Sequence, residues 1–347
     1  MNLPSQRWRI PQPLVFLILA SAGAFHFRAP GVQHPPPVFR ARTEQLMVPV
    51  TVKDAGGRLI AGLEGGDFRL LEDGVEQKIT GFSADPAPLS VAVLLDAALS
   101  RPTARRVKET FPSLAEAFSE FDEVALFSFA AGFGAVTGFT SEKDKIRAGL
   151  NQVELGVEYS RAGEPISSPV PRINRWPVGG APAGAAAGGP AGQPSKNIDD
   201  AVQAAARQLA VREPWRRKVI LLVTDGLNSS RNRISTAELL TELRRWGVAV
   251  YSIGLDDAKL SRGSSVLARY GPAGGGEMFT AIKKTAIESL YARITEQARN
   301  SYFLTYTPRK PATVAPVFRS IEVRVKRPAV NVIARDGYLP EPRAPQP

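Results

Sequence analysis

Two carboxylates stand where a sequence can do ionic chemistry. Asp96 closes the apolar run VAVLLD and is followed four residues later by a hydroxyl, Ser100; Asp225 closes KVILLVTD, just ahead of Gly226. Near-continuous apolar runs of this length read as buried strands, and open parallel sheets hold their ligands beyond the carboxyl ends of such strands. Two acids facing one crevice repel each other unless a cation lies between them. The chemistry on offer is therefore the capture of a hard cation by carboxylate and hydroxyl oxygens, or an internal ion pair. Plain structural roles stand beside these: Asp225 before Gly226 suits a turn, and Ser100 before Arg101 and Pro102 suits a helix N-cap.

Composition removes most competing chemistries. The 347 residues contain no cysteine and two histidines, His26 and His34, both near the N-terminus. Thiolate metal sites, cysteine nucleophiles, histidine bases and most zinc hydrolases lack their residues. Serine and lysine remain, so a Ser-Lys hydrolase is an alternative, but no SxxK sequence sits on a suitable helix. In GPAGGGEMF, residues 271–279, no Gly-Lys-Ser/Thr follows and the glycines precede a strand, which reads as a turn and not a phosphate loop. No enzymatic activity is expected.

The elements that must position these residues alternate. Strands are expected at 90–96, 123–129, 218–225 and 248–254, with helices at 103–119, 142–153, 199–211, 236–246 and 284–298. In the third of these helices Ile198, Val202, Ala205, Ala206 and Leu209 recur at helical spacing, and Asp199 and Asp200 fall in the first turn, where negative charge suits the helix dipole. Short strands at 47–53, 68–72 and 77–82, broken by DAGG, EGGD and EDG, are too few to stand alone. Strand patterns return at 301–308, 317–328 and 329–339. The fold class expected is α/β: a doubly wound, mainly parallel sheet with a small all-β module built from the N- and C-terminal segments. Two unrelated β fragments would be the alternative, with long exposed edges.

The ends and one insertion differ in composition. Residues 1–24 carry Arg7 and Arg9, an apolar run from Leu14 to Ala20 and then small residues, the order of a secretory signal. The run is too short to span a bilayer, though an uncleaved leader extended by Phe25 and Phe27 would serve as a membrane tether. A proline-rich linker follows at 25–43, then the N-terminal β segment at 44–86, the α/β domain at 87–300 and the C-terminal β segment at 301–340. Glycine, alanine and proline dominate an insertion at 155–196, read as a long surface loop. The net charge of +11 falls to +9 without the leader. Scattered basic residues in an exported chain favour anionic surface polymers over nucleic acid.

VLLDAALS, the helix after it, EVALFSF, the NIDDAV helix start and VILLVTDG follow one another as in a von Willebrand factor type A domain, which the chain resembles over residues 44–340. With its flanking β segments it is similar to the VWFA-related proteins of acidobacteria. That resemblance implies a metal-ion-dependent adhesion site made from an Asp-x-Ser-x-Ser stretch, a later threonine and a second aspartate, with one coordination position left for a partner's carboxylate. Asp96, Ser100 and Asp225 match this pattern. Ala98 stands at the middle serine and Lys196 at the threonine, unless the loop shifts by one residue and Ser195 takes that place. The resemblance thus implies a degenerate site with no cofactor or with weak Mg²⁺, in which the Lys196 ammonium offsets the repulsion of the two aspartates. The function expected is an exported, periplasmic or secreted binding module for a protein or an anionic surface polymer, with a structural role in the cell envelope as the alternative.

Overall fold

The structure, a computed structural model, describes residues 45–156, 196–256, 265–309 and 317–340, all within one compact unit, Thr43–Pro347. The expected leader, the linker and nearly all of the 155–196 insertion, Ser195 included, lie outside the described residues. The chain enters through β1 (Leu46–Lys53), β2 (Phe68–Glu72), β3 (Val75–Gln77) and β4 (Ile79–Ser83). Asp73 and Gly74, both at positive φ, make the two-residue turn between β2 and β3, the conformation that Asp-Gly favours in a hairpin.

Strand and helix then alternate: β5 (Leu89–Asp96), α1 (Arg101–Lys108), α2 (Phe111–Glu116), β6 (Glu123–Phe129), β7 (Phe133–Thr140) and α3 (Lys143–Gln152). After the insertion come α4 (Ile198–Ala210), β8 (Arg217–Thr224), α5 (Thr236–Trp246), β9 (Ala249–Leu255), α6 (Tyr270–Gly274), β10 (Met278–Ala281) and α7 (Lys284–Arg299). Their six strands form one sheet in the order β10-β9-β8-β5-β6-β7, parallel except for the edge strand β7. Period-two alternation sorts β5 to both faces. Leu89, Val91, Val93 and Leu95 pack with Val107, Leu114, Ile146 and Ile287 from α1, α2, α3 and α7. Ala92 and Leu94 pack on the other face with Ile198, Val202, Leu239 and Leu243 from α4 and α5. The sheet is therefore covered on both sides, which is why its strands read as unbroken apolar runs.

The late strands β11 (Tyr302–Tyr306), β12 (Arg319–Val325), β13 (Asn331–Ala334) and β14 (Gly337–Tyr338) complete the early ones. Two four-stranded sheets, β13-β1-β11-β4 and β14-β12-β2-β3, enclose Val48, Val50, Leu70, Leu304, Tyr306 and Ile321. The β module is thus a sandwich knitted from both ends of the chain, and the picture of two unrelated fragments is set aside. Inside it Glu72 accepts hydrogen bonds from Tyr306 (2.7 Å), Tyr338 (3.2 Å) and Arg319 (3.1 Å), the arrangement a buried carboxylate needs. The sandwich is tied to the α/β portion by ion pairs of Lys53 with Glu277 and Arg244 with Asp336.

Three local expectations are corrected. The helix expected over 103–119 is two helices, because Pro112 at the start of α2 has no amide hydrogen to continue α1. Residues 133–140 form a strand that the glycine-rich FGAVTGFT did not announce. Residues 271–274, expected as part of a turn, belong with Tyr270 to the short helix α6, and Gly276 after it is pressed against β9.

Candidate functional site

The order of the central sheet locates the site. From β5 the chain proceeds outward to β6 and β7, then returns to the other side of β5 as β8, β9 and β10, so its direction reverses between β5 and β8. A crevice opens beyond the carboxyl ends of strands at such a switch point. Asp96 is the last residue of β5 and Asp225 the first after β8, which brings both carboxylates there.

Lys196 lies between them. Its Nζ donates to Asp96 Oδ2 at 2.9 Å and to Asp225 Oδ2 at 2.7 Å, and the three side chains are 4%, 0% and 2% exposed in the order Lys196, Asp96, Asp225. The second oxygen of each aspartate holds its own loop: Asp96 Oδ1 accepts from the Ala98 amide (2.9 Å) and Asp225 Oδ1 from the Leu227 amide (3.1 Å). Each is an Asx turn, so Asp225 is both the turn residue and the ion-pair partner that the sequence offered as separate readings. Thr224 donates a further hydrogen bond to Asp96 Oδ2 at 2.7 Å. Backbone bonds set the position of Lys196 itself: Ser229 donates to its carbonyl, and Asn197 donates to the carbonyl of Ala130. The segment before α4 is thus bonded to the loop after β6 through its backbone and to the loops after β5 and β8 through the Lys196 ammonium.

Burial is the largest influence on Asp96 and raises its pKa above the ordinary carboxylate range; Lys196 pulls it down and Asp225 pushes it further up. A carboxyl whose folded pKa is raised contributes most to stability while protonated, and that contribution is lost as pH rises through the raised value. Burial thus disfavours the charged form of Asp96, and the Lys196 ammonium opposes that effect.

Ser100 is not brought into this cluster by any hydrogen bond described. It occupies the N-cap position of α1 without capping a backbone amide, and its hydroxyl donates to Thr103 Oγ1 at 2.9 Å. Thr103 donates in turn to Asp256 at 2.6 Å, and Arg106 approaches the same carboxylate. The sequence reading missed Thr224, although it stands beside Asp225 in VTDG as a hydroxyl at the end of a buried strand. It also missed that Asp199 is buried and does more than complement a helix dipole. Asp199 accepts from Tyr270 (2.6 Å), Asn228 (2.9 Å) and Thr236 (3.1 Å), which fastens the loop after β8 to α4. Replacing Thr224 by valine keeps the shape but removes the donor to Asp96 and the acceptor of the Gly226 amide. The expected loss is about 1–3 kcal/mol in urea denaturation.

A divalent ion does not fit the residues present. Mg²⁺ needs about six oxygen ligands. Here the inward oxygens of both aspartates already receive an ammonium, Ala98 offers a methyl group, and Ala97, Ala98 and Ala130 form a small apolar cluster. Among the described residues no group of three or more His, Cys, Asp or Glu side chains is placed to hold a metal.

Fold and site together define a doubly wound α/β domain set within a β sandwich, with an Asp-Lys-Asp ion cluster at the switch point of its sheet. No protein-family model matches the sequence, and no curated protein does. Solved structures of similar fold include proximal thread matrix protein 1 from the mussel byssus, at 18% identity and a TM-score of 0.44, covering 65% of this chain and 49% of that one. The match therefore spans about half the length of the mussel protein. The protein BatB from Bacteroides thetaiotaomicron is similar at 13% identity and a TM-score of 0.42, covering 60% of this chain and 98% of that one. A von Willebrand factor type A structure from Catenulispora acidiphila is similar at 8% identity and a TM-score of 0.44, covering 86% of this chain and 75% of that one.

Proposed function

We propose that the chain is an exported binding module that engages a protein or an anionic surface polymer through the loops crowning the central sheet, without catalysis and without a bound metal. The observation that carries this reading is the Asp96-Lys196-Asp225 cluster at the switch point. The place where such a sheet holds ligands is filled by the protein's own cation, and the loops after β5 and β8 are bonded to it as a preorganised surface. Export rests on the leader-like residues 1–24; among the described residues no helix is long and apolar enough to cross a membrane. Exposed Arg231 and Arg233, on the loop after β8, are the crest charges an acidic partner would meet first.

The test is capture of partners from an envelope extract by the full chain, with and without chelator, against a variant carrying Arg231→Glu and Arg233→Glu. Retention that survives chelator and drops at least about tenfold in the variant is the expected result, since charge reversal at a rim acts on encounter with the partner. Equal retention by both proteins would assign the crest a scaffold role.

A further inference from the structure

We infer that the Lys196 ammonium is a tethered cation standing where a divalent ion would bridge Asp96 and Asp225, and that exchanging it for a hydroxyl, with a second hydroxyl at position 98, turns the crest into a divalent-cation site. The inference deepens the crest reading above and rests on it, because it explains how that surface stays assembled on its own.

Three features point this way. The ammonium is shared: one Nζ meets one oxygen of each carboxylate, at 2.9 and 2.7 Å, so those two oxygens already converge on a single point. The outer oxygens are pinned by the Ala98 and Leu227 amides, so convergence is built into the loops and does not depend on which cation is present. Two carboxyl groups also share a single ammonium, at 4% exposure or less for all three side chains. A divalent ion would balance both acids, and removing the lysine leaves two buried carboxylates with a strong demand for one. The lysine at the sandwich junction makes the contrast. Among the described residues Lys53 forms an ion pair with Glu277 alone, and the neutral Gln297 amide shares that carboxylate in place of a second acid.

The experiment is calorimetric and paramagnetic titration of the isolated full chain with Mn²⁺, joined to thermal melting in EDTA and in Mn²⁺. The native protein should show no Mn²⁺ site tighter than about 100 μM, the weak end of protein sites for hard cations, and a melting temperature indifferent to chelator. The variant combining Ala98→Ser with Lys196→Thr should bind Mn²⁺ at least about tenfold more tightly than the native chain. Lys196→Ala should melt earlier in EDTA and recover in Mn²⁺, whereas Lys53→Ala should not recover. If Lys196→Ala does not fold without metal, refolding in Mn²⁺ supplies the same reading. A native site tighter than about 100 μM would overturn the inference, as would Mn²⁺ responses in both Lys196 variants no different from the native chain. No partner enters these measurements, so loss of partner capture with these metal results intact would defeat the functional reading alone.

Discussion

Lys196→Met should lower stability by about 3–5 kcal/mol at neutral pH, the usual consequence of removing one member of a buried ion pair. The methionine fills most of the volume, so the loss is electrostatic and not a cavity effect. Asp96 and Asp225 would face each other at 0% and 2% exposure with nothing positive between them. Against a typical domain stability of about 5–15 kcal/mol this is a large fraction, visible as an early urea midpoint with an unchanged slope.

The same variant should show an inverted pH response. Burial already raises the Asp96 pKa, and Lys196 is the principal influence opposing it. Without the ammonium the carboxyl rises further, takes up its proton in milder acid and so removes the repulsion. The gap between variant and native protein should therefore narrow as pH falls from neutral toward the carboxylate range, because the folded variant binds a proton that its unfolded chain does not. A gap that stays constant or widens in acid would show that the two aspartates do not interact across this site.

How much of this was legible before any coordinates depended on whether the cause was local. The buried strands ending in Asp96 and Asp225 announce themselves because a strand covered on both faces has no polar alternation to hide it. The α4 stripe is equally plain: Ile198, Val202, Ala205, Ala206 and Leu209 are all buried. Lys196 could be placed only by counting against a resemblance, since nothing in SKNIDD marks a lysine as buried. The break before α2 was readable in Pro112 and was passed over. Strand β7 was not readable, since it is half-buried on both faces and pairs antiparallel to β6 with two irregularities, leaving no clean period. The Asp199 network joins residues up to 71 positions apart, a separation local patterns do not encode.

The glycines of GPAGGGEMF show the same limit, and their substitution is the second large effect expected. Gly276→Ala should cost more than about 4 kcal/mol, the range reached only by severe steric or core defects. A Cβ built there would stand 2.1 Å from the Val250 carbonyl oxygen and 2.6 Å from its carbon. Val250 is fully buried in β9, paired on one side to β8, so its backbone has no room to retreat. The segment runs this close because Gly276 donates to the Gly271 carbonyl, and the next residue, Glu277, accepts from Ser252. Those two bonds seat α6 against β9 and start β10 in register. Gly132→Ala is the matched control: it lies in the hairpin between β6 and β7 with nothing within 4 Å of its would-be Cβ, and should stay within about 0.5 kcal/mol of the native chain. Comparable melting of the two variants would mean that α6 does not lie on β9 as closely as described, and with it that the glycines serve the turn alone and not the packing that carries the chain from the sheet into α7.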